Sequence, residues 1–206
     1  MTGDGPVTRI QKRNHAAILD AALDVFSRQG FAGATLDAIA AQAGLSKPNL
    51  LYYFASKEAI YTGLLTRLLA DWLAPLRALD PHGDPVDEIL GYMRRKLDMS
   101  RRLPRESRLF AGEILSGAPR FLDRIEGELR DLVLEKAALI DDWSRGGRLA
   151  PLDGRHLIFS IWATTQHYAD FDVQVRGVLR PESDEHWIQA RDFLDALYRG
   201  ALTPAR

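Results

Sequence analysis

The chain has 206 residues, 46% hydrophobic and 27% charged, with a formal net charge of -1. It has no cysteine, which excludes a disulfide scaffold and thiolate metal sites and fits a reducing compartment. No apolar run approaches the roughly 20 residues needed to span a bilayer, and no apolar leader opens the chain, so the expectation is a cytoplasmic protein without a membrane partner.

This length buries a sizeable core as one large domain or two small ones. Helix formers dominate, and Gly and Pro fall mostly at plausible helix ends, so an all-α protein of about nine helices is expected. Residues 1–9 are Gly- and Thr-rich and read as disordered. A first helix runs from about Ile10 to Gln29, with Ile18, Ala22, Val25 and Phe26 as its buried stripe and Gly30 as its stop. Its early Arg9, Lys12 and Arg13 read equally well as phosphate contacts or as a solvated basic start.

Residues 35–53, TLDAIAAQAGLSKPNLLYY, read as two short helices around a tight turn. Thr35 is placed to cap the first, whose apolar face is Leu36, Ile39, Ala40 and Ala43. Gly44 can enter the left-handed turn that stops it. Ser46 caps the second helix, and Pro48 sits in its first turn, where no N–H is needed. Leu50 and Leu51 are expected to point inward, leaving Lys47, Pro48, Asn49 and Tyr52 exposed near the N-terminal end. This pattern is a helix-turn-helix, with the second helix in the major groove, or else a small helical hairpin that merely packs.

The flanks favour DNA. The run LLYYFASKEAIY, residues 50–61, resembles the TetR family of transcriptional regulators, with Phe54, Ser56, Lys57 and Glu58 in the positions that family uses. Phe26, Gly30, Phe31 and Thr35 fit it as well. The expected DNA-contacting set is Thr35, Ser46, Lys47, Pro48, Asn49, Tyr52, Tyr53 and Lys57. Lys47, Asn49 and Tyr52 are assigned to bases, and Thr35, Tyr53 and Lys57 to phosphates. Residues 1–57 hold six Lys and Arg against four Asp and Glu; the remainder holds 21 against 24. The signs suit a nucleic-acid end and a body that avoids DNA.

We therefore divide the chain into a DNA-binding domain, residues 1–57, and a ligand-binding and dimerisation domain, residues 58–206. Ser56 should cap a long helix to about Leu79, kinked or ended by Pro75, followed by a Pro/Gly/Asp loop. A helix from Asp84 or Pro85 to about Arg102 is broken by Leu103-Pro104, and residues 105–116 form a shorter one. Ala118-Pro119 should open a long amphipathic helix to about Trp143, ended by Gly146-Gly147. Its inward residues are Ile125, Leu129, Leu132, Val133, Leu139 and Ile140. Asp153 should cap a helix reaching about Arg176, and a last helix covers roughly Ser183 to Leu202. Both are apolar on more than one side, which suggests a four-helix interface between two copies, or else a large monomeric core.

Within IWATTQHYAD, residues 161–170, Trp162, Thr165, Gln166 and Ala169 share one helical face. An indole and an amide one turn apart can hold a flat polar ring, the amide matching the O=C–N–H edge of a pyrimidine. Trp72 would supply a second wall, and Arg108 or Glu113 further polar contacts. Ordinary, internally satisfied polar residues would show the same spacing. DWLAPL (71–76), SRLF (107–110), EILSGAP (113–119) and LAPLDGRHLIFSIWATTQHYADF (149–171) resemble the pyrimidine-utilisation repressors of the TetR family. That resemblance implies a homodimeric repressor that binds uracil or thymine and releases operator DNA. The same class of repressor with a lipophilic or drug-like effector is the alternative. His15, His82, His156, His167 and His186 are scattered without metal-ligand spacing, and no catalytic constellation is visible, so neither a cofactor nor an enzyme is expected.

Overall fold

The computed structural model describes residues 9–204, so the reading of residues 1–8 lies outside it. The described residues form eleven α-helical segments and one π-helical turn, with no strand. α1 (Arg9–Gly33) buries Ile18, Ala22, Val25 and Phe26. Gly30, at φ 67°, interrupts it, so that the last residues form a separate turn. α2 (Leu36–Gln42) starts at Thr35, whose hydroxyl accepts the Ala38 N–H at 3.1 Å. Gly44 is left-handed at φ 68°, and the Gly44 and Leu45 N–H groups return to the Ala41 and Ala40 carbonyls. This double bond pattern satisfies carbonyls that the helix end leaves orphaned.

α3 (Lys47–Tyr53) begins at Ser46, which accepts the Asn49 N–H, and has Pro48 in its first turn. Leu50 is fully buried, but Leu51 is 39% exposed, contrary to expectation. Leu50 and Phe54, four residues apart, already fill the inner face of the helix, and Leu51 lies about 100° further round beside Tyr52.

α4 (Lys57–Arg77) is capped by Ser56 through the Ala59 N–H at 3.1 Å. Pro75 does not end it. The proline sits in the last turn, where its missing N–H removes one bond and the helix continues to Arg77. Asp84 caps α5 (Pro85–Arg102), and α6 (Pro104–Leu115) follows directly.

The next helix starts later than expected. Gly117 and Ala118 both take positive φ, closing the end of α6 through bonds to the Ile114 and Glu113 carbonyls. Phe121, 1% exposed, then anchors the turn, and helix resumes at α7 (Leu122–Arg124). A π-helical turn, Ile125–Leu129, joins α7 to α8 (Arg130–Arg145). Asp153 caps α9 (Gly154–Asp170) through the Arg155 and His156 N–H groups. α9 stops at Phe171, and α10 (Asp172–Leu179) and α11 (Glu185–Leu202) complete the fold. Taking Leu122–Arg145 as one interrupted helix gives ten helices rather than nine; the extra break is at Phe171.

α9 is the axis of the body, packing against α5, α6 and α8, while α5 also carries α4 and α11. A Cβ at Gly154 would meet the Ala137 carbonyl oxygen at 2.6 Å, so only glycine lets α9 start this close to α8. α1 touches α2, α4 and also α6, which brings the DNA-binding unit against the body.

Candidate DNA-binding face and effector cavity

α3 presents Lys47, Pro48, Asn49 and Tyr52 to solvent. Tyr52 is 70% exposed, and its hydroxyl accepts from Gln11 Nε2 at 3.3 Å; the Tyr53 hydroxyl accepts from Asn14 Nδ2 at 3.0 Å. The start of α1 is thus fastened to α3, which sets the exposed Lys12 beside the tyrosines. A phenol that accepts one bond can still donate its own hydrogen to a phosphate, as can the hydroxyls of Thr35 and Ser46 after capping. Lys47 leans on Asp37 at 2.9 Å, an exposed pair that a DNA base or phosphate can displace at small cost.

Lys57 differs from its expected role as a plain phosphate contact. Its Nζ donates to the Phe31 carbonyl at 2.8 Å and the Ala34 carbonyl at 2.9 Å, and lies 4.6 Å from the centroid of the Phe31 ring. Two of its three hydrogens are spent joining the end of α1 to the start of α4.

In the body, a cavity of about 870 Å³ opens between α6, the π-helical turn, α8 and α9. α9 contributes Arg155, Phe159, Trp162, Gln166 and Asp170, one face of that helix. Phe110, Ile125, Leu129 and Val133 make most of the opposite wall apolar, with Arg108 among them. The Gln166 amide has no hydrogen-bond partner among the described residues and faces the cavity. Trp162 is fixed, its Nε1 donating to the Tyr92 hydroxyl at 2.6 Å.

Of the expected ligand set, the cavity therefore joins Arg108, Trp162 and Gln166. It leaves out Trp72, Glu113 and Thr165. Thr165 is fully buried one step round the helix, its hydroxyl donating to the Ile161 carbonyl at 2.6 Å. Glu113 faces the other side of α6, where it pairs with Arg120. Trp72 stands behind Phe110, with ring centroids 5.8 Å apart, and so does not face Trp162. The Trp72 indole N–H is buried without a partner, and the Lys96 ammonium lies 4.6 Å over its ring.

Lys96 belongs to a polar group behind the cavity wall. Burial pulls the Lys96 ammonium down to about 8, partly offset by Asp170. Burial pushes Asp170 up, opposed by the Ser107 hydroxyl bond and by Arg108 and Lys96. Asp170 reaches the cavity surface, so this buried charge cluster meets any bound ligand.

Residues 18–64 match the family described as bacterial regulatory proteins, tetR family, and residues 65–205 match the YcdC-like protein C-terminal region. The HTH-type transcriptional regulator RutR of Escherichia coli K12 is 52% identical over 180 residues, covering 84% of this chain and 85% of RutR. The chain belongs to the TetR family.

Among solved TetR-like structures, SCO4942 of Streptomyces coelicolor is 25% identical with a TM-score of 0.72, covering 92% of this chain and 98% of that one. The ketosteroid regulator KstR2 of Mycobacterium tuberculosis, 22% identical, shares the fold at a TM-score of 0.70. The TetR-family relatives are transcriptional regulators rather than enzymes. No helix of the described residues is long and apolar enough to cross a membrane. Asp170, Lys96 and Ser107 were absent from the expected set. Asp170 was within reach of the α9 spacing, four residues after Gln166. Lys96 carried a signal too, a lysine on the buried stripe of α5 between Met93 and Leu97.

Proposed function

We propose that this TetR-family regulator is a homodimeric repressor that releases its operator when uracil or thymine fills the cavity between α6, α8 and α9. The observation that carries the reading is the unpartnered Gln166 amide beside the fixed Trp162 ring, with Asp170 and Arg108 within the same cavity. An amide donor and acceptor side by side complement a pyrimidine O=C–N–H edge, and an indole supplies the apolar contact. Support for the dimer comes from α11, which buries Trp187, Ala190, Leu194 and Tyr198 yet leaves Ile188, Phe193 and Leu197 46–61% exposed. Phe193→Asp should give a monomer by light scattering at micromolar concentration; a dimer would remove α11 from the interface.

The cavity volume favours a second reading. The eight or nine non-hydrogen atoms of uracil or thymine, at no more than a water molecule's share of about 30 Å³ each, fill under roughly 300 Å³. The largely apolar wall and about 870 Å³ would suit a bulkier lipophilic effector. Calorimetry with uracil, thymine and a lipophilic panel, paired with gel shifts on DNA flanking the gene, separates the two. The pyrimidine reading expects saturable uracil binding that Gln166→Leu weakens about 10-fold or more, the loss of roughly two polar contacts. It also expects operator release by uracil. Pyrimidine binding unchanged in Gln166→Leu, or no binding of either uracil or thymine, would overturn it.

A further inference from the structure

A second hollow, about 710 Å³, lies where the DNA-binding unit meets the body. One wall is α1 and its terminal turn, with Arg28 and Phe31. The other is a single face of α6, on which Arg105, Arg108, Leu109, Gly112, Glu113 and Ser116 recur at helical spacing. Arg120 reaches in from the turn after α6. The lining holds four arginines and one carboxylate, Glu113, while Asp24 and Glu106 at its edge pair with Arg105.

The arginines differ in how firmly they are held. Arg120 is built in: its backbone N–H donates to Glu113 Oε1 at 2.9 Å, and its guanidinium stacks 3.7 Å from the Phe31 centroid. Arg105 is paired with Asp24 of α1. Arg108 gives one N–H to the Ala169 carbonyl at 3.3 Å. The Arg28 guanidinium is exposed and has no ion pair or hydrogen bond among the described residues. Glu113 is 4% exposed and already matched by Arg120, so it does little to oppose a second anion. Burial, the nearby Glu113 charge and a hydrogen bond to that carboxylate push the Tyr61 hydroxyl up to about 12, so it stays neutral and committed to Glu113.

We propose that this hollow binds a phosphate group carried by a small metabolite, seated between Arg28 of the DNA-binding unit and the arginines of the body. Guanidinium forks match tetrahedral oxyanions bidentately. Arg28 is free and Arg108 is only partly committed, so both can turn to an anion, while Arg105 and Arg120 are already held in place. Leu109 offers an apolar contact to the organic part. An anion held there ties α1 to α6, and α6 is also a wall of the effector cavity, with Arg108 and Gly112 lining both. Any effect of one ligand on the affinity of the other must then be reciprocal, by the same factor.

Calorimetry on the full chain at constant ionic strength tests this with inorganic phosphate, pyrophosphate and uridine 5′-monophosphate, beside uracil as an independent arm. The expected result is saturable binding of at least one phosphate probe, weakened about 10-fold or more in Arg28→Ala, as loss of a charge-assisted contact implies. Uracil binding by Arg28→Ala should match that of the parent, so failure here is distinct from failure of the pyrimidine reading. Absence of saturable binding by all three probes at millimolar concentration overturns the proposal. So does equal binding by parent and Arg28→Ala. If that absence comes with a lower salt slope of operator affinity in Arg28→Ala, the hollow is assigned to the DNA backbone instead.

Discussion

Trp162→Phe tests whether the cavity wall is held from behind. The substitution keeps an aromatic face toward the cavity but deletes the N–H that donates to the Tyr92 hydroxyl at 2.6 Å. Tyr92 is 1% exposed, and this is the one hydrogen bond of its hydroxyl among the described residues. A buried polar group left without a partner costs about 1–3 kcal/mol. For a chain of this size each kcal/mol moves Tm by about 2–4 °C, so the variant should melt roughly 2–12 °C below the parent. Tyr92→Phe/Trp162→Phe removes both partners and should cost less than the sum of the single changes, by about 0.5–3 kcal/mol in a thermal or urea double-mutant cycle. A Trp162→Phe melting temperature equal to the parent's, or strictly additive single changes, would refute the reasoning. The same bond makes Trp162 a poor probe of ligand contact, because its loss disturbs the scaffold. Gln166, which holds nothing in the protein, is the cleaner choice.

Asn49→Ala should lose about 1–3 kcal/mol of base discrimination at one position per half-site, seen as flattened information in a binding-site selection; an unchanged motif would remove Asn49 from base reading. Lys57→Ala should lower stability to urea by about 1–3 kcal/mol, since it deletes a charged donor to two carbonyls and a cation over Phe31. A parental midpoint would contradict the inward geometry. Lys96 sits below its ordinary value of 10.5, at about 8, so the folded state bears the penalty of its charge below pH 8. As pH rises from 8 to 10.5 the unfolded chain holds the extra proton, and the parent should gain about 3 kcal/mol relative to Lys96→Met. Parallel stability curves for the two proteins across that window would show that Lys96 titrates normally.

Much of the helix-turn-helix was legible because its signals are local. Thr35, Gly44, Ser46 and Pro48 each act on backbone groups within a few residues. The helix after α6 was misplaced because Ala118 takes a positive φ that its side chain does not advertise. The break at Phe171 carries neither glycine nor proline, so α9 and α10 read as one. In the cavity, spacing found the right helix but not the right angular sector: Gln166 faces the void, while Thr165 turns to a carbonyl of its own helix. Trp72 and Glu113 were beyond such reasoning, since their place depends on which side of α6 faces the cavity. Long-range packing, with no trace in local spacing, decides that.

Phe31 is gripped between two cations, Lys57 at 4.6 Å and Arg120 at 3.7 Å from its centroid, one from each side of the domain joint. The joint thereby rests on a neutral ring and on carbonyl dipoles as well as on the Arg105 pair with Asp24. Mobile ions screen over about 8–10 Å near physiological strength, and so act weakly on partly buried contacts this short. The joint should keep its stiffness across a salt titration that strips counterions from DNA. A plot of operator affinity against salt then counts phosphate contacts alone, free of any loosening inside the protein.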